Sequence, residues 1–348
     1  MISYAIMISP RHKRVYMERS QAIAINELIF TGGLLSQPVN NIREAEIGGL
    51  PYLLFDGERA FLPQDIRRLS RLSFTYAIFE LRYGLLAPVE IDCGYFIDED
   101  ISSILKYTGK TNELFTRLMI NLALSHHSQP ETVKLLDPMA GKGTTLYEGL
   151  MQNCDVYGIE IDPKPAYESF VYIKKHLEMA KYKHSNHTEK TGGVDASGKK
   201  FAATRYQVEL SRSKEAQRAG QTHQFEIIAG DTRHTRAFYK KSFFHAIVAD
   251  LPYGVQHGAK NRPQVGMKAG VTRNAMGLLH EALPEWIKAL KPGGVIVLAW
   301  NLFLIPRSEM EGLFAEHGLV VPEGIKGLDF SHRLDQATHR DLVLGKLQ

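Results

Sequence analysis

Asp250-Leu251-Pro252-Tyr253-Gly254 concentrates the most chemistry in the fewest residues, directly after the strand-like run Ala246-Ile247-Val248-Ala249. Chemistry on the exocyclic amine of a nucleobase needs an oxygen acceptor that orients the N–H groups and turns the nitrogen lone pair toward an electrophile. It also needs an aromatic face that holds the ring flat. Asp250, the backbone carbonyl before Pro252, and Tyr253 meet these needs and are read as the catalytic group. Pro252 lacks an N–H and has a fixed φ, so it stiffens the turn, while Gly254 admits close approach of substrate. Leu251 and Gly254 are read as substrate-facing. A turn held in advance is what a transfer reaction uses. The plainer alternative is a strand-to-loop turn with Tyr253 packed on the core. The ordered elements upstream favour the functional reading.

The first of these elements is the strand Lys134-Leu135-Leu136, which runs into Asp137-Pro138-Met139-Ala140-Gly141-Lys142-Gly143-Thr144-Thr145 and then a helix from Leu146 to Met151. Such a turn lies at the carboxyl edge of an α/β sheet, where glycines and unpaired helix N–H groups can meet a nucleotide-like cofactor. Asp137, Pro138, Gly141, Gly143 and Thr144 are the candidates. The spacing matches neither G-x-x-x-x-G-K-[ST] nor GxGxxG, which weakens kinase and dehydrogenase readings. Glu160, 23 residues after Asp137, ends the strand Val156 to Ile159 and can accept from two ribose hydroxyls. The third strand ends at Asp231-Thr232, where Asp231 can face an adenine amine or simply cap the following turn.

Short β-branched or Leu-rich runs alternating with helical patterns from Val133 onward predict a doubly wound, Rossmann-like α/β sheet. A terminal β-hairpin should close it, with Lys291-Pro292-Gly293-Gly294 before the strand Val295 to Ala299 and Leu342 to Leu344 after it. His332 and His339 are expected at the surface. Ahead of the sheet, residues 1–100 read as a small α+β domain. It has a strand from Ser3 to Ser9, a helix from Gln21 to Phe30 and a helix started by Pro63. Residues 101–348 form the second domain. A helix from Asn112 to Ser125, with a Thr/Asn cap, leads into it.

At 348 residues, 44% hydrophobic and 23% charged, the chain is long enough for two domains and ordinary for a globular protein. Cys93 and Cys154 are the two cysteines, far apart and without metal-ligand spacing, so no metal is expected and a reducing, cytoplasmic setting is. The longest apolar run, Val295 to Ile305, is too short to span a bilayer. Net charge is +4, and the stretch 182–224 carries eight basic residues against four acidic ones, an excess equal to that of the whole chain. Its polar composition, with Thr191-Gly192-Gly193 and Ser197-Gly198, predicts a mobile insertion over at least its first half, either a solvated loop or a contact for a phosphate backbone. Arg11, Lys13, Arg14 and Arg19 could extend the same basic face. Lys260, Arg262 and Arg273 are candidates for substrate phosphates or are solvated cations.

DPMAGKGTT, YGIEID, AGDTR and DLPYG, in that order, resemble the motifs of class I S-adenosylmethionine-dependent methyltransferases, and specifically of the THUMP-associated RNA guanosine-N2 methyltransferases, from about Tyr107 to the C-terminus. Lys142 stands where that family more often has Ser or Thr, and Leu251 where it has Pro. No complete THUMP module is traceable in the first 100 residues. The resemblance implies S-adenosyl-L-methionine as cofactor, held by the donor loop, Glu160, Asp231 and Thr232. It further implies RNA, most simply tRNA, as partner, and in-line methyl transfer to guanosine N2 without a covalent enzyme intermediate. Rival readings are a DNA adenine or protein glutamine amide N-methyltransferase, for which similar Pro-Tyr loops serve, and an inactive cofactor-binding RNA-binding protein. The sequence does not specify an oligomeric state.

Overall fold

The computed structural model describes the chain apart from residues 10–13, 104–111, 128–131, 195–197 and 252–274. The chain begins with β1 (Ile2–Ile8), α1 (Arg14–Gly32), β2 (Asn40–Ile47), β3 (Leu50–Gly57), α2 (Pro63–Ser70), β4 (Thr75–Arg82) and β5 (Leu85–Val89). These strands form an antiparallel sheet in the order β2-β3-β1-β4-β5. Without its added β5, this is the split βαβ arrangement of ferredoxin-like units. Alternate residues of β1, namely Tyr4, Ile6 and Ile8, are buried against Ala24 and Leu28 of α1 and Leu69 of α2. The sheet is thus paired strand by strand to one apolar layer.

The remaining elements are α3 (Asp100–Ser103), α4 (Glu113–Leu124), β6 (Lys134–Asp137), α5 (Thr144–Met151), β7 (Asp155–Glu160), α6 (Pro163–Met179), β8 (Lys183–Val194), β9 (Lys200–Ser211), α7 (Lys214–Arg218) and β10 (His223–Ala229). They continue with α8 (Thr235–Phe238), β11 (Phe244–Asp250), α9 (Ala275–Ala289), β12 (Leu290–Asn301), α10 (Arg307–Glu316), β13 (Leu319–Val320), β14 (His332–Arg333) and β15 (His339–Leu347). The Asn112 side chain caps α4 as expected, accepting from the N–H groups of Leu114 and Phe115.

The strands build one ten-stranded sheet, ordered β13-β15-β12-β11-β6-β7-β10-β9-β8, with β14 paired to β15. β12, β11, β6, β7 and β10 are parallel, and β13, β15, β9 and β8 run antiparallel to their neighbours. Both faces are covered. Val295, Val297 and Ala299 of β12 enter the core beside α4, α5 and α6, whereas Ile296, Leu298 and Trp300 enter the core beside α8, α9 and α10. Each fully buried Val, Leu or Ile contributes about 1.5–3 kcal/mol, which explains the near-continuous apolar runs of a sheet buried on both sides.

The two sheets meet at a polar joint. Glu27 of α1, fully buried, accepts from Ser73 N (3.1 Å), Ser73 Oγ (2.5 Å) and Asn121 Nδ2 of α4 (2.7 Å). Asn121 Nδ2 also donates to Arg71 O, and Asn26 Nδ2 to Asp329 O. Burial holds the Glu27 carboxyl above its ordinary range despite these bonds.

The insertion departs from expectation. Residues 183–194 and 200–211 form no loose loop but two paired strands, β8 and β9, that extend the sheet beside β10. Polar composition misled because β9 alternates: Val208 and Leu210 enter the core on one face, while Ala203 packs on the other. β9 passes the end of β10, where Ala229 pairs with Thr204, and continues from Ala203 to Lys200 at the carboxyl edge of the parallel strands. His332 departs too: it is buried, its ring 4.9 Å from that of Phe115. No helix among the described residues is long and apolar enough to cross a membrane.

Candidate active site

The spatial order of the parallel strands reverses between β6 and β11, because β7 and β10 lie to one side and β12 to the other. Crevices at such switch points, outside the carboxyl ends of the strands, are where α/β sheets bind ligands. Asp137 ends β6, Glu160 ends β7, Asp250 ends β11, and Asp231 follows the end of β10. Four separated stretches of sequence thereby bring four carboxylates to one edge.

The glycine loop between β6 and α5 is tied to β7. Ala140 N donates to Ile159 O at 2.9 Å, and Gly141 N to Glu160 Oε2 at 2.9 Å. Glu160 Oε1 accepts from Asp162 N at 2.8 Å. A carboxylate has about four acceptor sites, so a pair of ribose hydroxyls can still be accommodated. Burial raises the Glu160 pKa, and the backbone hydrogen bonds act against that rise. Gly143 caps α5 at φ 91°, and a Cβ there would lie 2.6 Å from Ser169 Oγ, so conformation and space both require glycine. Gly141, at φ 52°, has nothing within 4 Å of its Cβ position, which leaves the outer face of the loop open to a ligand. Pro138 and Thr144 are buried within the turn. Lys142 swings away to Glu168 Oε2, 2.7 Å distant, so its backbone and not its charge faces the loop.

Asp137 is 3% exposed, and its Oδ1 accepts from Met139 N at 2.9 Å. Burial pushes its pKa up to about 7, against hydrogen bonds from Thr145 and Met139; the nearby charges of Asp250 and Glu160 raise it further. Asp231 caps the turn Thr232–His234 through Arg233 N and is clasped by the Arg233 guanidinium at 2.6 Å, which also reaches Glu281. Burial alone would raise its carboxyl, but the Arg233 bonds and charge hold it below the usual range. Asp231 therefore caps the following turn while standing at the carboxyl edge. Thr232 is buried, its Oγ1 accepting from Trp286 Nε1 at 2.8 Å.

Asp250 stands beside a cation that sequence reasoning missed. Arg340 of β15, 3% exposed, brings Nη2 to 3.2 Å from Asp250 Oδ2 and stacks 4.8 Å from the Phe115 ring centroid. The available signal was a charged pair, Arg340-Asp341, directly ahead of the apolar run Leu342-Val343-Leu344 in β15. Leu251 corrects an expectation: it is 2% exposed and packs with Leu136, Leu279 and Leu298, so its side chain belongs to the core. Its N–H donates to Ala299 O at 2.8 Å, extending the β11–β12 pairing by one residue. Pro252, Tyr253, Gly254, Lys260, Arg262 and Arg273 lie outside the described residues. Cys154 is buried, its thiol pushed up to about 12 by desolvation, which suits a packing role.

The donor set fits a cationic, hydroxyl-rich nucleoside better than a polyphosphate. Carboxylates crowd the crevice, while Lys142, Arg233 and Arg340 are each drawn to a carboxylate of the protein. A sulfonium nucleoside such as S-adenosylmethionine meets these groups with complementary charge.

This sheet, with parallel strands in the order β10-β7-β6-β11-β12 followed by a reversed β15 and by β13, which runs with the parallel set, defines a class I, S-adenosylmethionine-dependent methyltransferase fold. Residues 108–281, half of the chain, match the family described as RMKL-like, methyltransferase domain, and the chain belongs to that family. No curated protein matches it by sequence. Among solved structures, TYW2 of Pyrococcus horikoshii in complex with MeSAdo is 14% identical, covering 78% of this chain and 71% of its own, with a TM-score of 0.37. An rRNA methylase from Streptococcus thermophilus is 10% identical over 62% and 88% of the two chains, with a TM-score of 0.32. A Burkholderia thailandensis 1,6-didemethyltoxoflavin-N1-methyltransferase is 12% identical over 68% and 80%, with a TM-score of 0.38. These TM-scores lie below 0.5, and the family match carries the assignment.

Proposed function

We propose that the protein methylates an exocyclic amine of an RNA base, most simply guanosine N2 in tRNA, as a relative of the THUMP-associated guanosine-N2 methyltransferases. The observation that carries this reading is Asp250 at the switch point, an acceptor anchored by Arg340 and set across from the Asp137–Glu160 cofactor edge. The cofactor would supply an electrophilic methyl group. Gly141 and Gly143 shape the loop that would hold it, Glu160 would accept from its ribose, Asp137 would line the cofactor edge, and Asp231 would face its adenine. Asp250 would orient the acceptor amine, with Pro252 and Tyr253 holding the base.

Support for RNA comes from charge. β8 and β9 run past the carboxyl edge with Lys190 and Lys200 on them and Lys199 directly before β9, and such ammonium groups would suit the backbone of an RNA substrate. Residues 1–100, as a separate α+β domain, and Lys260, Arg262 and Arg273 would add further contacts, in a cytoplasmic setting. The test is transfer from methyl-labelled S-adenosylmethionine into RNA, DNA and protein fractions, followed by nucleoside mass spectrometry of the labelled RNA. Label in RNA as N2-methylguanosine is expected. Label in adenine of DNA or glutamine of protein, or in no fraction, overturns the reading.

A further inference from the structure

The loops that follow β12 and precede β15 are locked together by one buried carboxamide. Asn301, 3% exposed, accepts at Oδ1 from Phe303 N (3.2 Å) and His339 N (3.0 Å), and donates from Nδ2 to Ala337 O (3.0 Å). Leu302 N adds a bond to His339 O at 2.7 Å. On this rigid mount Phe303 and Leu304 project outward, each 52% exposed. The Arg333 guanidinium lies 5.6 Å from the Phe303 ring centroid, and the His339 ring 5.8 Å away, edge-on. A half-exposed phenylalanine forgoes part of the gain of burial, and here hydrogen bonds fix its backbone so that the ring is not folded inward.

Position ties this surface to the active site. β12 lies beside β11, with Ala299 opposite Asp250, and the residue after His339 is Arg340, which holds Asp250. The aromatic therefore stands at the same carboxyl edge as the acceptor carboxylate, one strand away.

We infer that Phe303, flanked by Arg333 and His339, is a stacking platform for an unpaired nucleobase neighbouring the methylated one. Aromatic faces with adjacent cations are how single-stranded nucleic acid is held, and single-stranded segments are what proteins read in RNA. The inference rests on the RNA reading above and deepens it: the substrate is presented as an unstacked segment of at least two nucleotides, not as continuous duplex. Arg333 supplies the charge that a flanking phosphate needs.

The test is fluorescence anisotropy of the full chain with a fluorescein-labelled 12-nucleotide single-stranded RNA of mixed sequence and with the same strand annealed to its complement. It is run for wild type, Phe303→Ala and Phe303→Trp, alongside labelled transfer into bulk tRNA. Wild type is expected to prefer the single strand. Phe303→Ala should weaken that binding roughly five- to 100-fold, and Phe303→Trp should retain it. Because Phe303 is half exposed, both variants should melt within a few degrees of wild type. Single-strand affinity in Phe303→Ala within two-fold of wild type, with RNA still methylated, overturns the platform and leaves the RNA reading standing. Wild type that neither binds nor methylates RNA overturns both.

Discussion

Arg340 Nη2 lies 3.2 Å from Asp250 Oδ2, although 90 residues separate the two in the chain. The carboxylate at the end of β11 is thereby held from the far side by a strand that enters the sheet last. Removing one partner of a buried pair leaves the other charge uncompensated, at a cost of about 3–5 kcal/mol. Arg340→Gln is therefore expected to lower urea-unfolding stability by that order. Arg340→Lys keeps the charge but loses the planar fork, and should lower kcat for methyl transfer about ten-fold with little change in donor affinity. Equal kcat for Arg340→Lys and wild type would remove the positioning role.

Asp250 itself should be separable from cofactor binding. Asp250→Ala is expected to reduce transfer roughly 100-fold or more, while calorimetry shows S-adenosylmethionine bound with nearly unchanged Kd. Near-normal turnover would reject its role as the acceptor of the amine hydrogen bond.

Glu160 serves the loop and, in this reading, the ribose. Glu160→Ala should weaken binding of S-adenosylhomocysteine about ten- to 100-fold, the loss expected for hydrogen bonds to a charged acceptor. Unchanged calorimetric affinity would move the ribose contact elsewhere.

Asp137 makes stability depend on pH. Its pKa rises from 3.8 to about 7 on folding, first through burial, so between about pH 4 and 7 the folded chain holds a proton that the unfolded chain has released. Its contribution to stability therefore falls as pH rises through that window and levels off above it. The difference between wild type and Asp137→Asn should change in that direction by on the order of 3 kcal/mol. Denaturant melts at pH 5 and pH 8 measure it, and a parallel pair of curves would contradict the assignment.

Glu27 tests the joint between the sheets. Glu27→Ala leaves the donors of Ser73 and Asn121 without their shared acceptor, and buried unsatisfied groups cost about 1–3 kcal/mol each. Loss of at least that much unfolding free energy is expected. A variant as stable as wild type would show that apolar contacts alone hold the joint.

The sequence by itself determined the sheet that makes the crevice and the order in which Asp137, Glu160, Asp231 and Asp250 arrive there. Strand, glycine turn and helix are local patterns, and a parallel sheet must place such turns at its carboxyl edge. It also marked the Asn112 cap and the strands Val295 to Ala299 and Leu342 to Leu344, which pair antiparallel as β12 and β15. Local composition misplaced the 182–224 segment, because pairing to β10 supplies the hydrogen bonds and the buried face that its polar residues do not announce. The burial of Leu251 and His332, the buried Arg340 behind Asp250, and the mounting of Phe303 on Asn301 were decided only by tertiary structure. Each depends on a neighbouring strand or ring distant in the chain, and no spacing rule along a single element encodes a partner that arrives from the other end of the sheet.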